Sequence, residues 1–198
     1  QISKNKELQR LFEKYPKYDP YYIVSSGLKE RREHIDKIWK IYQPHANKHF
    51  LKEYKLRDNF HSRTWEMYVG AILITNGIAF NKNPKDDWPD FSIEETLYIE
   101  CVACRNANSV DKADYVPPLQ KYDGKVHDVP RDQMLLRIAS AFRDKYLLYK
   151  SKHVDSTIPF VIAINSGIFN HAQGSVLPLI YDLLFGIDCF VAKYTREG

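Results

Sequence analysis

Long apolar runs are missing from this chain. None approaches the roughly 18 residues that a membrane-spanning helix needs, and the longest, Met67 to Ile74, has the length of a core helix. Cysteine is scarce: Cys101, Cys104 and Cys189 are odd in number, which leaves one thiol unpaired in any disulfide scheme. That argues for a reducing compartment, the cytoplasm. Cys101 and Cys104 form a C-x-x-C, but no second pair and no matching histidine spacing accompanies them, which argues against a zinc ribbon. They read instead as two small residues ending a buried strand. Also absent are a signal peptide, an internal repeat, a low-complexity segment and any G-x-S-x-G setting for Ser166. The chain opens at Gln1 rather than Met, so it reads as a trimmed piece whose start is missing.

What is present is the composition of a folded protein, 44% hydrophobic and 27% charged over 198 residues, which suits one compact domain with a helical extension. Aromatics reach 14%, with Tyr leading at 14 copies. The net charge of +4 and pI near 8.8 permit an anionic partner such as nucleic acid, although a charge of this size also serves solubility. Lys and Arg crowd the first 60 residues and the stretch Arg131 to Lys152.

Residues 1–60 carry helical patterns over Asn5 to Tyr15 and Gly27 to Tyr42, broken at Pro16, Pro20 and Pro44. They predict an N-terminal helical extension packing on a core of residues 61–198. Ser62 suits the N-cap of a helix over Arg63 to Asn76, and Asn76-Gly77 suits a left-handed turn at its end. Ile78 to Asn81 then predicts a short strand and Asn83 to Asp87 a loop; Asp90 to Glu94 and Leu97 to Ala103 predict a hairpin turning at Glu95-Thr96. Residues 104–128 lack periodicity and read as a long loop. Pro130 opens a helix to about Lys150 whose apolar stripe is Leu135, Ile138, Phe142 and Tyr146. Phe160 to Asn165 has the continuous apolar character of a central buried strand, Ser175 to Leu184 that of a helix, and Ile187 to Ala192 that of a last strand.

Three carboxylates stand out in this frame. Glu66 is followed one and two turns on by Val69, Gly70, Leu73 and Ile74. It therefore either faces the core and needs a partner, or stays solvated near the first turn with help from the helix dipole. Glu100 sits in the apolar run Leu97 to Ala103; alternation puts Leu97, Ile99, Cys101 and Ala103 on one face and Tyr98, Glu100 and Val102 on the other. Asp90 follows Trp88-Pro89 and lies about as far from the turn as Glu100, so hairpin pairing brings the two together. Adjacent carboxylates repel unless a cation or a shared proton lies between them. Magnesium takes one or two carboxylates with water and phosphate oxygens, so the pair suits Mg (or Mn); salt bridges to Lys or Arg are the alternative. His61 reads as a capping or surface residue, and His45 with His49 lack a third ligand.

The order of helix with Glu66, strand, strand opened by Pro89-Asp90, strand with Glu100, helix and strand resembles the PD-(D/E)xK, or restriction-endonuclease-like, nuclease superfamily over residues 62–167. The resemblance implies an α/β fold with a mixed central sheet flanked by helices, and a divalent-metal site built from Glu66, Asp90 and Glu100. It implies a metal-dependent nuclease that hydrolyses phosphodiester bonds in DNA or RNA. One departure stands out: where the family places a Lys two residues after the second acid, this chain has Val102. In some relatives the basic residue lies on the next helix. Here Gln133, Arg137 and Ser140 share a face of that helix, with Lys145 two turns on. Arg137 has the fork geometry for phosphate oxygens and is a poor base, so it would stabilise the transition state. The departure leaves a second expectation, a catalytically inactive nuclease-fold protein that binds nucleic acid or a protein partner through its basic, Tyr-rich N-terminal region.

Overall fold

A computed structural model describes residues 17–82, 88–94, 96–118, 128–151, 157–169 and 179–185. The patterns at 5–15, 83–87 and 187–192 lie outside these residues. Contacts divide the chain into one unit of residues 1–103 and 147–165 and a second of residues 104–146 and 166–198.

In the first unit, Pro20 starts a helix rather than breaking one: Asp19 Oδ1 accepts from Tyr21 N at 2.8 Å, and α1 runs Pro20–Gly27. Leu28 is extended (φ −101°, ψ 118°), so the single helix expected from Gly27 gives way to a separate α2, Lys29–Tyr42. Pro44 falls in a 3-10 turn, Gln43–His45, and a short α3, Phe50–Tyr54, follows. The next helix, α4, spans Phe60–Thr75. It begins before the expected cap Ser62 because Asn59 O already accepts from Arg63 N at 2.9 Å and Phe60 is buried as part of the core. Its end follows the sequence expectation: Gly77 sits at φ +70°, and Ile78 N reaches back to Leu73 O at 2.9 Å.

Three strands follow, β1 Asn81–Lys82, β2 Phe91–Ile93 and β3 Leu97–Ala103, then the long helix α5, Arg131–Ser151, then β4 Phe160–Asn165. The sheet order is β1-β2-β3-β4, antiparallel across the first two pairings and parallel between β3 and β4. The fold is therefore mixed α/β with a small mixed sheet and helices. The strand expected over 78–81 shrinks to two residues, and Asp90 stands just ahead of β2. The buried central strand is β3, which pairs on both edges and buries five consecutive residues. Contrary to expectation, β4 pairs only with β3 among the described residues, and its Val161 is 44% exposed.

One apolar cluster joins Ile38 and Tyr42 of α2, Phe50 and Tyr54 of α3, and Met67, Ala71 and Leu73 of α4 to Phe91, Ile99 and Cys101 of the sheet. The division expected at residue 60 runs through this cluster. Gly70 of α4 marks the tightest approach: a Cβ there would come within 2.4 Å of the Tyr42 ring.

In the second unit, residues 104–118 are irregular, as expected, and are held by Asn106, whose side chain pairs both polar atoms of Val116 (2.7 and 2.8 Å). The buried stripe of α5 differs from the expected one. Met134, Ile138, Ala141 and Tyr149 are buried, whereas Phe142 and Tyr146 are about half exposed and stack on each other at 6.3 Å. From Met134 to Ala141 the true stripe follows three- and four-residue spacing, with Tyr149 two turns further on, and it is rotated by about one position. A last helix, α6, covers Leu179–Phe185. No helix among the described residues is long and apolar enough to cross a membrane.

Candidate active site

Glu66 projects from α4 into the core and is 2% exposed. The first of its two expected settings is the one found, and burial is offset by partners. Tyr42 donates its hydroxyl to Oε1 at 2.9 Å, and Arg63, one turn earlier on α4, donates Nη1 to Oε2 at 2.6 Å. Arg63 also bridges to Glu53 of α3. Burial pushes the Tyr42 phenol well above its ordinary range, and the charge of Glu66, then that of Asp90, pushes it further. Burial works against the Arg63 charge, but Glu66, Glu53 and Asp90 together more than offset it. Asp90 thus acts on both partners of Glu66, and the two acids share one electrostatic neighbourhood.

Asp90 holds its place by accepting the Cys101 amide on Oδ2 at 2.8 Å. The β2–β3 register ends with Phe91 opposite Ile99, and Asp90 lies in a bend just ahead of that pair. The expected hairpin forms, and Asp90 is tied to β3 through the Cys101 amide rather than through strand pairing.

Glu100 is 4% exposed in the middle of β3, and Tyr149 of α5 donates its hydroxyl to Oε2 at 2.7 Å. Ile99 and Cys101 belong to the cluster packed with α4, so alternation turns Glu100 to the other face of the sheet, with Tyr98 and Val102. Glu66 and Asp90 thus share Tyr42 and Arg63 as neighbours, whereas Glu66 and Glu100 lie on opposite faces of β3. Among the described residues, no group of three or more His, Cys, Asp or Glu side chains is placed to hold a metal ion. The carboxylates of Asp90 and Glu100 are oxygen donors of the kind magnesium takes.

In the second unit, Arg137 is tied to the 104–118 loop. Its Nε donates to Arg105 O at 2.5 Å and its Nη1 to Asp114 Oδ2 at 2.7 Å. The hydrogen bond from Arg137 holds the Asp114 carboxyl below its usual range, so the Arg137 charge is largely answered within its own unit. Gln133 and Lys145 are half-buried, and Lys145 precedes Tyr149 by one turn of α5. Val102, at the position of the family lysine, is 7% exposed among apolar neighbours. The sequence reading missed Tyr42, Arg63 and Tyr149. Arg63 was findable from its three-residue spacing to Glu66; the two tyrosines were not, because their contacts join residues 24 and 49 positions apart.

Comparison with protein-family models, with curated proteins and with solved structures finds no match.

Proposed function

We propose that the chain is a metal-dependent nuclease of the restriction-endonuclease-like type, hydrolysing phosphodiester bonds in DNA or RNA. The observation that supports it best is that Asp90 accepts the amide of Cys101, the neighbour of a glutamate buried in the central strand. Asp90 and Glu100 would hold Mg (or Mn), with Glu66 supporting Asp90 from α4. Bound metal supplies polarisation of the phosphoryl group and a more acidic water. The chain's own contribution is positioning: the Tyr149 hydroxyl fixes the Glu100 carboxylate, and the Cys101 amide fixes that of Asp90. By the same resemblance, the positive charge missing at Val102 would come from the next helix, from Arg137 or Lys145. The odd cysteine count supports a reducing compartment, the cytoplasm, for this activity.

A second reading is a non-catalytic protein of the same fold that binds nucleic acid or a protein partner, and the apolar, buried Val102 favours it. Incubation with single- and double-stranded DNA and RNA, with magnesium or manganese, separates the two. The nuclease reading expects cleavage that falls at least about 100-fold in Asp90→Asn and Glu100→Gln. Equal cleavage by all three chains sinks the site assignment. Absence of cleavage together with absence of calorimetric metal binding leaves the non-catalytic reading.

A further inference from the structure

The two edges of the sheet differ. β1, on one side, has 2 residues and is too short to template another strand, whereas β4, on the other, has 6. Tyr98 N donates to Pro159 O at 2.9 Å, and the parallel register pairs Tyr98 with Phe160 and Glu100 with Ile162. In a ladder of that phase the main-chain groups of Val161 and Ala163 turn toward β3, and those of Phe160, Ile162 and Ile164 turn away from it. Among the described residues, no strand stands opposite these outward N–H and C=O groups.

Native edge strands are blunted by charge, proline, a bulge or a covering element. Phe160–Asn165 contains no Lys, Arg, Asp, Glu or Pro, and its register against β3 runs without a bulge. On the α4 side Val161 is 44% exposed. Beside it, Trp65 of α4 donates Nε1 to Ala163 O at 2.8 Å and stacks on the exposed Tyr68; Ile72, also exposed, continues that side of α4 one turn on. Outward main-chain groups thus lie next to an apolar, aromatic shelf.

We propose that β4 pairs antiparallel with β4 of a second copy, about a twofold axis at Ile162, which joins the two sheets into one. The strand is self-complementary in that register, and this singles out a second copy as the occupant. A twofold axis perpendicular to the sheet keeps each face on its own side and sets Ile162 opposite its counterpart, Phe160 opposite Ile164, and Val161 opposite Ala163. Ile162 with Ile162 and Phe160 with Ile164 are then the hydrogen-bonded pairs, so the outward N–H and C=O groups of both strands are all satisfied. Val161 against Ala163 sets a larger side chain on a small one on the α4 face, where Trp65 and Tyr68 of each copy lie beside the joint. No like charges meet along the strands. The inference stands on the sheet edge and does not require Asp90 and Glu100 to be catalytic.

Sedimentation equilibrium of the full chain over about 1–100 µM tests it, and a monomer–dimer equilibrium is expected. Ile162→Pro removes an N–H that β3 does not use, and Val161→Lys puts a charge at an exposed position of the edge. Each should weaken the dimer at least about tenfold while the far-ultraviolet circular dichroism stays that of the parent chain. In a chain carrying Cys189→Ser, mild oxidation should cross-link Ile162→Cys readily and Val161→Cys poorly, because only position 162 meets its own counterpart. A chain that stays monomeric overturns the proposal and leaves the edge to a strand of another protein. So does a dimer that neither variant weakens, or one that cross-links through position 161 in preference to 162. Should Ile162→Pro fail to fold, Val161→Lys and the cross-link decide.

Discussion

Glu100 is the residue on which the active-site reading turns, and a phenol on another element, Tyr149, donates to it. Tyr149→Phe keeps the ring against Phe160, 5.0 Å away, and deletes only the donor to a buried carboxylate. Hydrogen bonds to charged groups contribute more than neutral ones, so the variant should lose about 1–3 kcal/mol in urea unfolding. An unchanged midpoint would mean that Tyr149 does not hold Glu100. The contrast with Glu66 shows what a sequence carries about single side chains. A glutamate among Val69, Gly70 and Leu73 announces that it needs a partner, and Arg63 is close enough in sequence to be a candidate. Tyr42 and Tyr149 carry no local mark, since their roles arise only when α2 and α5 pack. Arg137 was misjudged for a related reason: an arginine interrupting an apolar helix looks available for phosphate, whereas a loop carboxylate, Asp114, meets it first.

Elements with a strict period were legible; their neighbours were not. β3 occupies the span its alternation predicts, and Asn76-Gly77 ends α4 as predicted, because both depend on short-range stereochemistry. The centrality of β3 over β4 could not be read from hydrophobicity, since both runs are apolar and only pairing on a second edge distinguishes them. The close approach of α4 to α2 was equally silent, yet it makes a sharp prediction. Alanine is the better helix former by about 1 kcal/mol, so on propensity alone Gly70→Ala should stabilise α4. A Cβ at 2.4 Å from a ring that is fully buried and hydrogen-bonded to Glu66 reverses the sign. Overpacking costs about 1–3 kcal/mol, so a net loss of about 1–2 kcal/mol is expected. It should appear as a lower urea midpoint at unchanged slope, and a raised midpoint would refute the close packing of α2 on α4.

Across the molecule, burial of weak acids sets a limit on alkaline stability that net charge does not suggest. Burial raises the Cys104 thiol in the second unit to about 11, with Arg137 pulling slightly the other way, and burial raises Tyr54 in the first unit to about 12; Tyr42 lies higher still. Each folded-state value exceeds its unfolded one, near 8.5 for a thiol and 10 for a phenol. Their contributions are therefore fully present below those unfolded values and are lost as pH rises through the folded ones. The thiol acts first, over about pH 9 to 11, where its loss amounts to roughly 2–3 kcal/mol. Urea unfolding at pH 8 and pH 11 should show that fall, and Cys104→Ala should reduce it while leaving the phenol-driven loss, which begins near pH 10. Native Cys104 should also resist alkylation at pH 8, since it is buried as the neutral thiol, and should react once the chain is unfolded. Rapid labelling of the native chain at that pH would place the thiol in solvent and remove the basis of the alkaline effect.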